Sequence, residues 1–299
     1  MYKRTGQIII VLLSLYFIGR IFYNNWEDVS VSLTNIASGP LIISIIIFSL
    51  TFFLLSSLWH YLIFDKRYGL ATSNQLYLKA NLLRYIPGNI WGIGARIIFF
   101  NHLGIAKAKL IFFLFYESVL MVLSGGLVFL IFSLFFNAPT YLIILALIMT
   151  LVLTILAFKP AFILRLVNLF GSTEIELGTN KNRIYYFLAY IIYWLLSGMA
   201  TYFLAQSILG VGNVSYVKFS AIYIVSWLIG YLSIITPSGI GVRELTFTYL
   251  LSTMISQQEA GLIAIMSRLV FTVGELLSYF SSLLIYKLIS QQHGRLPAQ

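Results

Sequence analysis

The chain has 299 residues, 60% of them hydrophobic and 9% charged, and a mean hydropathy of +0.93. A soluble domain carries roughly 25% charged residues, so a water-soluble globule is excluded and a single integral membrane domain is expected over 1–299. Nineteen Lys and Arg against nine Asp and Glu leave a charge of +10. Cytoplasmic loops facing anionic lipid carry such an excess, so no nucleic-acid partner is expected.

A hydrocarbon core about 30 Å thick needs roughly 20 apolar residues as a helix. Residues 7–26 form the first such stretch, interrupted only by Arg20 near its end. Lys3 and Arg4 precede it as in a signal peptide, but no small-residue cleavage site follows, so it reads as a retained span. Residues 40–64 form the second, without a charged residue. The next apolar segment, 81–100 (NLLRYIPGNIWGIGARIIFF), is different: Arg84, Pro87, Gly88, Gly92, Gly94 and Arg96 interrupt it. Residues 110–136 contain Glu117, and 141–158 contain no charge. A basic linker, 159–183, follows, with the amphipathic stretch 161–170 suited to lie along an interface. Residues 184–209 and 219–236 are again uncharged apolar stretches. The segment 237–256 (PSGIGVRELTFTYLLSTMIS) repeats the interruption, with Pro237, Gly239, Gly241, Arg243 and Glu244. The last apolar stretch, 261–286, contains Arg268 and Glu275.

Pro and Gly break a helix, the first by lacking an N–H and clashing with the preceding turn, the second by its backbone freedom. Broken backbone at membrane depth survives only where protein or a cavity covers it. The expected fold is therefore an all-α polytopic membrane protein of seven or eight transmembrane helices plus two re-entrant or broken helices. Loop charge sets the orientation. Residues 27–39 hold two acids and no base, 65–109 seven bases and one acid, and 159–183 four bases and two acids. That alternation places the N-terminus in the cytoplasm. Seven crossings put the C-terminus outside and eight return it inside.

The two broken segments share Ile93-Gly94-Ala95-Arg96 and Ile240-Gly241-Val242-Arg243, 147 residues apart. Paired Gly/Pro-interrupted segments at matching positions point to the substrate site of transporters built from duplicated halves. The halves here are about 1–158 and 184–289, inverted or parallel.

Ionisable residues inside a membrane are costly and face a cavity or one another. Arg84, Arg96, Arg243 and Arg268, with Glu117, Glu244 and Glu275, concentrate around the two breaks. Two readings stand. Guanidinium groups grip phosphate oxygens in a planar fork, so the set lines a polar cavity for a lipid headgroup. Alternatively Glu117 with one Arg, and Glu275 with Arg268 or Arg243, are neutralising pairs that fix the bundle. The seven-residue spacing of Arg268 and Glu275 is too long for a direct pair, but puts both on one face. Trp26, Trp59 and Trp91 read as interfacial aromatics, and Gly125-Gly126 as a close helix contact. There are no cysteines, His60, His102 and His293 match no metal spacing, and no nucleotide or hydrolase motif is present. No catalytic residue, metal or cofactor is expected, and the chain is not expected to be an enzyme.

Arg84-Tyr-Ile-Pro87-Gly88-Asn-Ile-Trp-Gly92 through Arg96, and Pro237-Ser-Gly239-Ile-Gly241-Val-Arg243-Glu244, resemble the paired signatures of the flippase-like, lysylphosphatidylglycerol synthase transmembrane family. That family includes the membrane half of the bacterial multiple peptide resistance factor. The resemblance implies re-entrant segments around a central cavity and movement of a lipid or lipid-linked sugar between leaflets of a prokaryotic plasma membrane. It brings no lysyl transfer, which belongs to a separate cytosolic aminoacyl-transferase domain. Relatives often show Glu-Arg where this chain has Glu117-Ser118. The implied partners are an anionic phospholipid or a polyprenyl-phosphate-linked substrate. The alternative is a non-transporting subunit that binds anionic lipid and scaffolds a cell-envelope glycosyltransferase or lipid-modifying enzyme.

Overall fold

The computed structural model describes residues 34, 36–63, 68–85, 91–159, 163–164, 180–210, 212, 214–233, 239 and 241–292. Within them the chain is helical, with nine α-helices and no strand. In chain order these are α1 (Ser38–Ile63), α2 (Leu70–Leu82), α3 (Trp91–His102), α4 (Lys107–Ser133) and α5 (Thr140–Phe158). They continue as α6 (Asn180–Leu209), α7 (Tyr216–Leu232), α8 (Val242–Leu251) and α9 (Gln257–Gln292). Helices α1, α4, α5, α6 and α9 are long and apolar enough to cross a membrane, and α7 is a shorter apolar helix. The molecule is a polytopic helical membrane protein. Each apolar stretch expected from residue 40 onward coincides with one of these six helices. The stretch 7–26 lies outside the described residues, as does most of the linker 159–183.

Local chemistry sets the helix ends. Gly104 takes φ +84, which lets the Ile105 N–H return 3.4 Å to the Phe100 carbonyl and close α3. Helix α9 starts on a reciprocal cap: the Glu259 N–H donates to Ser256 Oγ, and the Ser256 N–H to Glu259 Oε2, both at 3.2 Å.

Helix α1 lies antiparallel to α6. Ser44 Oγ donates 2.7 Å to the Ala200 carbonyl and, toward the other end, Tyr186 Oη donates 2.7 Å to the Tyr61 carbonyl. Gly274 brings α9 onto α1, since a Cβ there would lie 2.9 Å from Phe48 Cβ. Gly125 of α4 is a close helix contact, with the Trp194 indole filling the space of its missing side chain and donating 3.0 Å to the Met121 carbonyl. Large apolar side chains on α5, Ile148, Leu151 and Ile155 among them, are exposed. A lipid-facing helix presents such a surface.

The short helices form two antiparallel hairpins. In the first, Arg84 packs against Gly92, Asn81 accepts from Arg96, and the Lys79 ammonium lies over the Phe99 ring at 5.1 Å. Its open end adjoins the start of α4. In the second, Gly239 takes φ +66 and presses onto α7, where a Cβ would meet the Gly230 carbonyl oxygen at 2.6 Å. The open end of that hairpin, Lys218 of α7 and Leu250 of α8, lies against the α4–α5 turn. The hairpins thus start from opposite ends of α4, whose 27 residues span about 40 Å. Helices α2, α3 and α8 have 13, 12 and 10 residues, about 15–20 Å each, or roughly half a hydrocarbon core.

Two expectations change here. Most of residues 65–80 counts as basic loop by charge, yet α2 is a packed helix whose Ser73, Gln75 and Asn81 are buried. Its polar residues face the protein interior, so hydropathy underrates it. Trp59 is fully buried rather than interfacial, at 0% exposure.

Candidate functional site

The first hairpin encloses one ion pair. Arg96 of α3 reaches α4, where Nη1 pairs with Glu117 Oε2; their side chains are only 11% and 8% exposed. Helix α2 completes the setting. Tyr77 Oη donates 3.1 Å to the other oxygen of Glu117, and Arg96 Nη2 donates 3.1 Å to Asn81 Oδ1. The Arg96 guanidinium lies between two rings, 4.7 Å from Trp59 and 4.2 Å from Tyr77. Guanidinium is weakly hydrated and stacks on aromatic faces, so this enclosure suits it. Ser118 bonds Tyr231 at 2.7 Å, and Arg96 supplies Glu117 with the arginine that a Glu-Arg dipeptide places next door.

The hairpin tips meet on α9. Arg84 Nη2 donates 2.6 Å to Glu275 Oε2, a carboxylate with 0% exposure, while Arg84 itself is 27% exposed. Its guanidinium lies 5.4 Å from Phe271 and 5.9 Å from Phe52. From the second tip, Arg243 lies 5.2 Å from Phe271 and 5.0 Å from Tyr223. Glu244 does two things. Oε2 accepts the Gly241 N–H at 2.7 Å, capping α8, and Oε1 accepts Arg268 Nη1 at 3.3 Å. Gly241 holds φ +87 to allow that turn.

The seven charges therefore sort into three pairs and one remainder: Arg84 with Glu275, Arg96 with Glu117, and Arg268 with Glu244. Arg243 makes no ion pair among the described residues. It is 4% exposed, and its Nη2 has no hydrogen-bond partner. The Tyr223 ring lies against it, and its buried hydroxyl has no partner within hydrogen-bond geometry among the described residues. An unpaired guanidinium out of water is costly. Among the described residues, the place where the two hairpins approach each other on α9 therefore holds one buried positive charge with no carboxylate of its own.

The structure brings all seven charged candidates into this region, but with partners that spacing did not suggest. Glu275 pairs with Arg84, rather than with Arg268 or Arg243, because α2 packs against α9 and Arg84 follows directly on its last turn. Arg268 and Glu275 share one helix and reach the second and first tips respectively. Gly92, Gly94, Gly239 and Gly241 lie at the hairpin turns or just inside them, whereas Pro87, Gly88 and Pro237 fall outside the described residues. Sequence reasoning missed Tyr77, Asn81, Tyr223 and Phe271. The available signal was the run of polar residues through 73–81, too regular for a loop.

The transmembrane-region family model of lysylphosphatidylglycerol synthase matches residues 7–277, and the chain belongs to that family. No curated protein matches the chain.

Proposed function

We propose that this chain moves an anionic lipid headgroup, carried on a phospholipid or a polyprenyl phosphate, between membrane leaflets. Membership of a family of membrane domains associated with lipid modification or translocation supports a lipid substrate. The observation that carries the reading is Arg243, the buried cation left over when every acid of the site has its own arginine. Phosphate is the ligand a planar guanidinium fork holds best.

On this reading the hairpins are re-entrant, so α7 turns back instead of crossing and the crossings are six, the stretch 7–26 with α1, α4, α5, α6 and α9, in place of the seven or eight expected. One enters from each face, and their tips form the barrier at α9. A headgroup passes between the tips on Arg243 while its tails stay in lipid, and the chain makes and breaks no covalent bond. Basic loops put the open end of the first hairpin, and the N-terminus, on the cytoplasmic side of a prokaryotic plasma membrane.

Leaflet exchange of labelled phosphatidylglycerol and polyprenyl phosphate in proteoliposomes tests this. Exchange by the intact protein, lost in folded Arg243→Gln, supports translocation through the tips. Absence of exchange with either lipid overturns it and favours the scaffold, a lipid-binding subunit holding an envelope enzyme.

A further inference from the structure

A second site lies away from the charges. A cavity of about 750 Å³ sits at the far end of the bundle, between the α4–α5 turn and the open end of the second hairpin. Ligand pockets run to roughly 300–1,000 Å³, mostly apolar with a few placed polar groups. The walls fit that description: Phe129, Phe136, Leu142, Ile222, Val225 and Leu250 supply carbon. Lys218 is its one basic lining residue, half-buried and without an ion pair among the described residues.

We propose that this cavity is a docking site for one anionic phospholipid, its phosphate on Lys218 and an acyl chain among the phenylalanines. Three observations choose this occupant. The aliphatic and phenyl side chains of the wall fit an acyl chain, and Asn137, Tyr141, Tyr249 and Thr253 beside Lys218 supply polar groups for a headgroup. The lone ammonium has three donors and no acid to satisfy them, which fits a phosphate. The site also shares helix α8 with the charged region. Helix α8 has Arg243 near its first residue and Leu250 near its last, about 10 Å apart along the axis. A lipid on Lys218 therefore waits one short helix away from the unpaired guanidinium. Its purpose as a port rests on the translocation reading; its existence does not.

The test uses intact protein in phosphatidylcholine proteoliposomes doped with a phospholipid carrying a photoreactive diazirine in its acyl chain. Adducts are mapped by peptide mass spectrometry. With a phosphatidylglycerol probe, adducts are expected on residues 129–142, 218–225 and 249–254. They should exceed those from the matching phosphatidylcholine probe by about fivefold, what one lysine adds near an anionic lipid. Lys218→Gln should bring the two probes level and Lys218→Arg should keep the preference. Lys218 holds no structural ion pair, so both variants are expected to fold. Equal labelling by both probes, a preference unchanged in Lys218→Gln, or adducts confined to other residues overturns the site. Exchange by the intact protein separates the two readings: no exchange with the phosphatidylglycerol preference retained overturns translocation and leaves the docking site standing, whereas exchange without that preference overturns the docking site alone.

Discussion

Arg84 and Arg243 face the same phenyl ring, Phe271, at 5.4 and 5.2 Å, although they come from hairpins that start at opposite ends of α4. Each such contact is worth about 0.5–2 kcal/mol, and together they bring the two hairpins to one ring of α9. Glu275 pairs with the first guanidinium, whereas Arg243 makes no ion pair among the described residues. The two arginines are therefore unequal in charge compensation.

Arg243→Gln should leave the fold intact, because no carboxylate loses its partner. A hydrogen bond to a charged group contributes about 1.5–3 kcal/mol, so exchange is expected to fall by about tenfold to a hundredfold. Arg243→Lys keeps the charge and loses the fork, and should fall between. The rates come from dithionite quenching of labelled lipid, with thermal unfolding in detergent as the control. Equal rates for Arg243→Gln and the intact protein would remove Arg243 from the path.

Arg84→Gln should be more destabilising than Glu275→Gln. The first takes the cation from a carboxylate with 0% exposure, and the second leaves an arginine that is 27% exposed and keeps access to a polar environment. Breaking a buried pair from one side costs about 3–5 kcal/mol at most. The double variant should recover part of the loss, and a double-mutant cycle in melting temperature measures it. The opposite ranking would place Arg84 in the more desolvated position.

Periodicity and composition made the long helices legible, since an uncharged apolar stretch of this length has few other destinations. The breaks at 81–100 and 237–256 were legible too, because Pro and Gly interrupt helices wherever they fall. Pairing was not. Arg84 and Glu275 stand 191 residues apart, and only the packing of α2 against α9 joins them. Helix α2 escaped notice for a related reason. Its buried Gln75 and Asn81 lower its hydropathy, although burying them is what furnishes Arg96 with an acceptor.

Gly239→Ala should be severe. A Cβ would lie 2.6 Å from the Gly230 carbonyl oxygen, and the residue holds φ +66, which L side chains rarely adopt. Overpacking costs about 1–3 kcal/mol and a left-handed conformation about 1–2 more. Gly230→Ala, whose Cβ would meet Arg243 Cβ at 2.8 Å, should displace the arginine and lower exchange more than stability. Gly39→Ala, exposed in the first turn of α1, meets nothing within 4 Å and serves as the control. If all three unfold at one temperature, the tip is not held by close backbone contact.

Glu244 separates capping from charge. Glu244→Gln retains an oxygen for the Gly241 N–H, so the α8 cap survives while the pair with Arg268 is lost. Glu244→Ala loses both. A cap contributes about 1 kcal/mol, and the pair, 3.3 Å long with Arg268 at 19% exposure, no more than a partly exposed bridge does. Alanine should therefore lower the melting temperature clearly further than glutamine. Both variants take the Glu244 carboxylate from Arg268, which raises the net positive charge at the second tip. Affinity for an anionic headgroup should then rise while its release slows. Exchange should drop at low salt and recover as salt screens the excess. Salt-independent rates in Glu244→Gln would show that the Arg268 charge does not reach the moving headgroup.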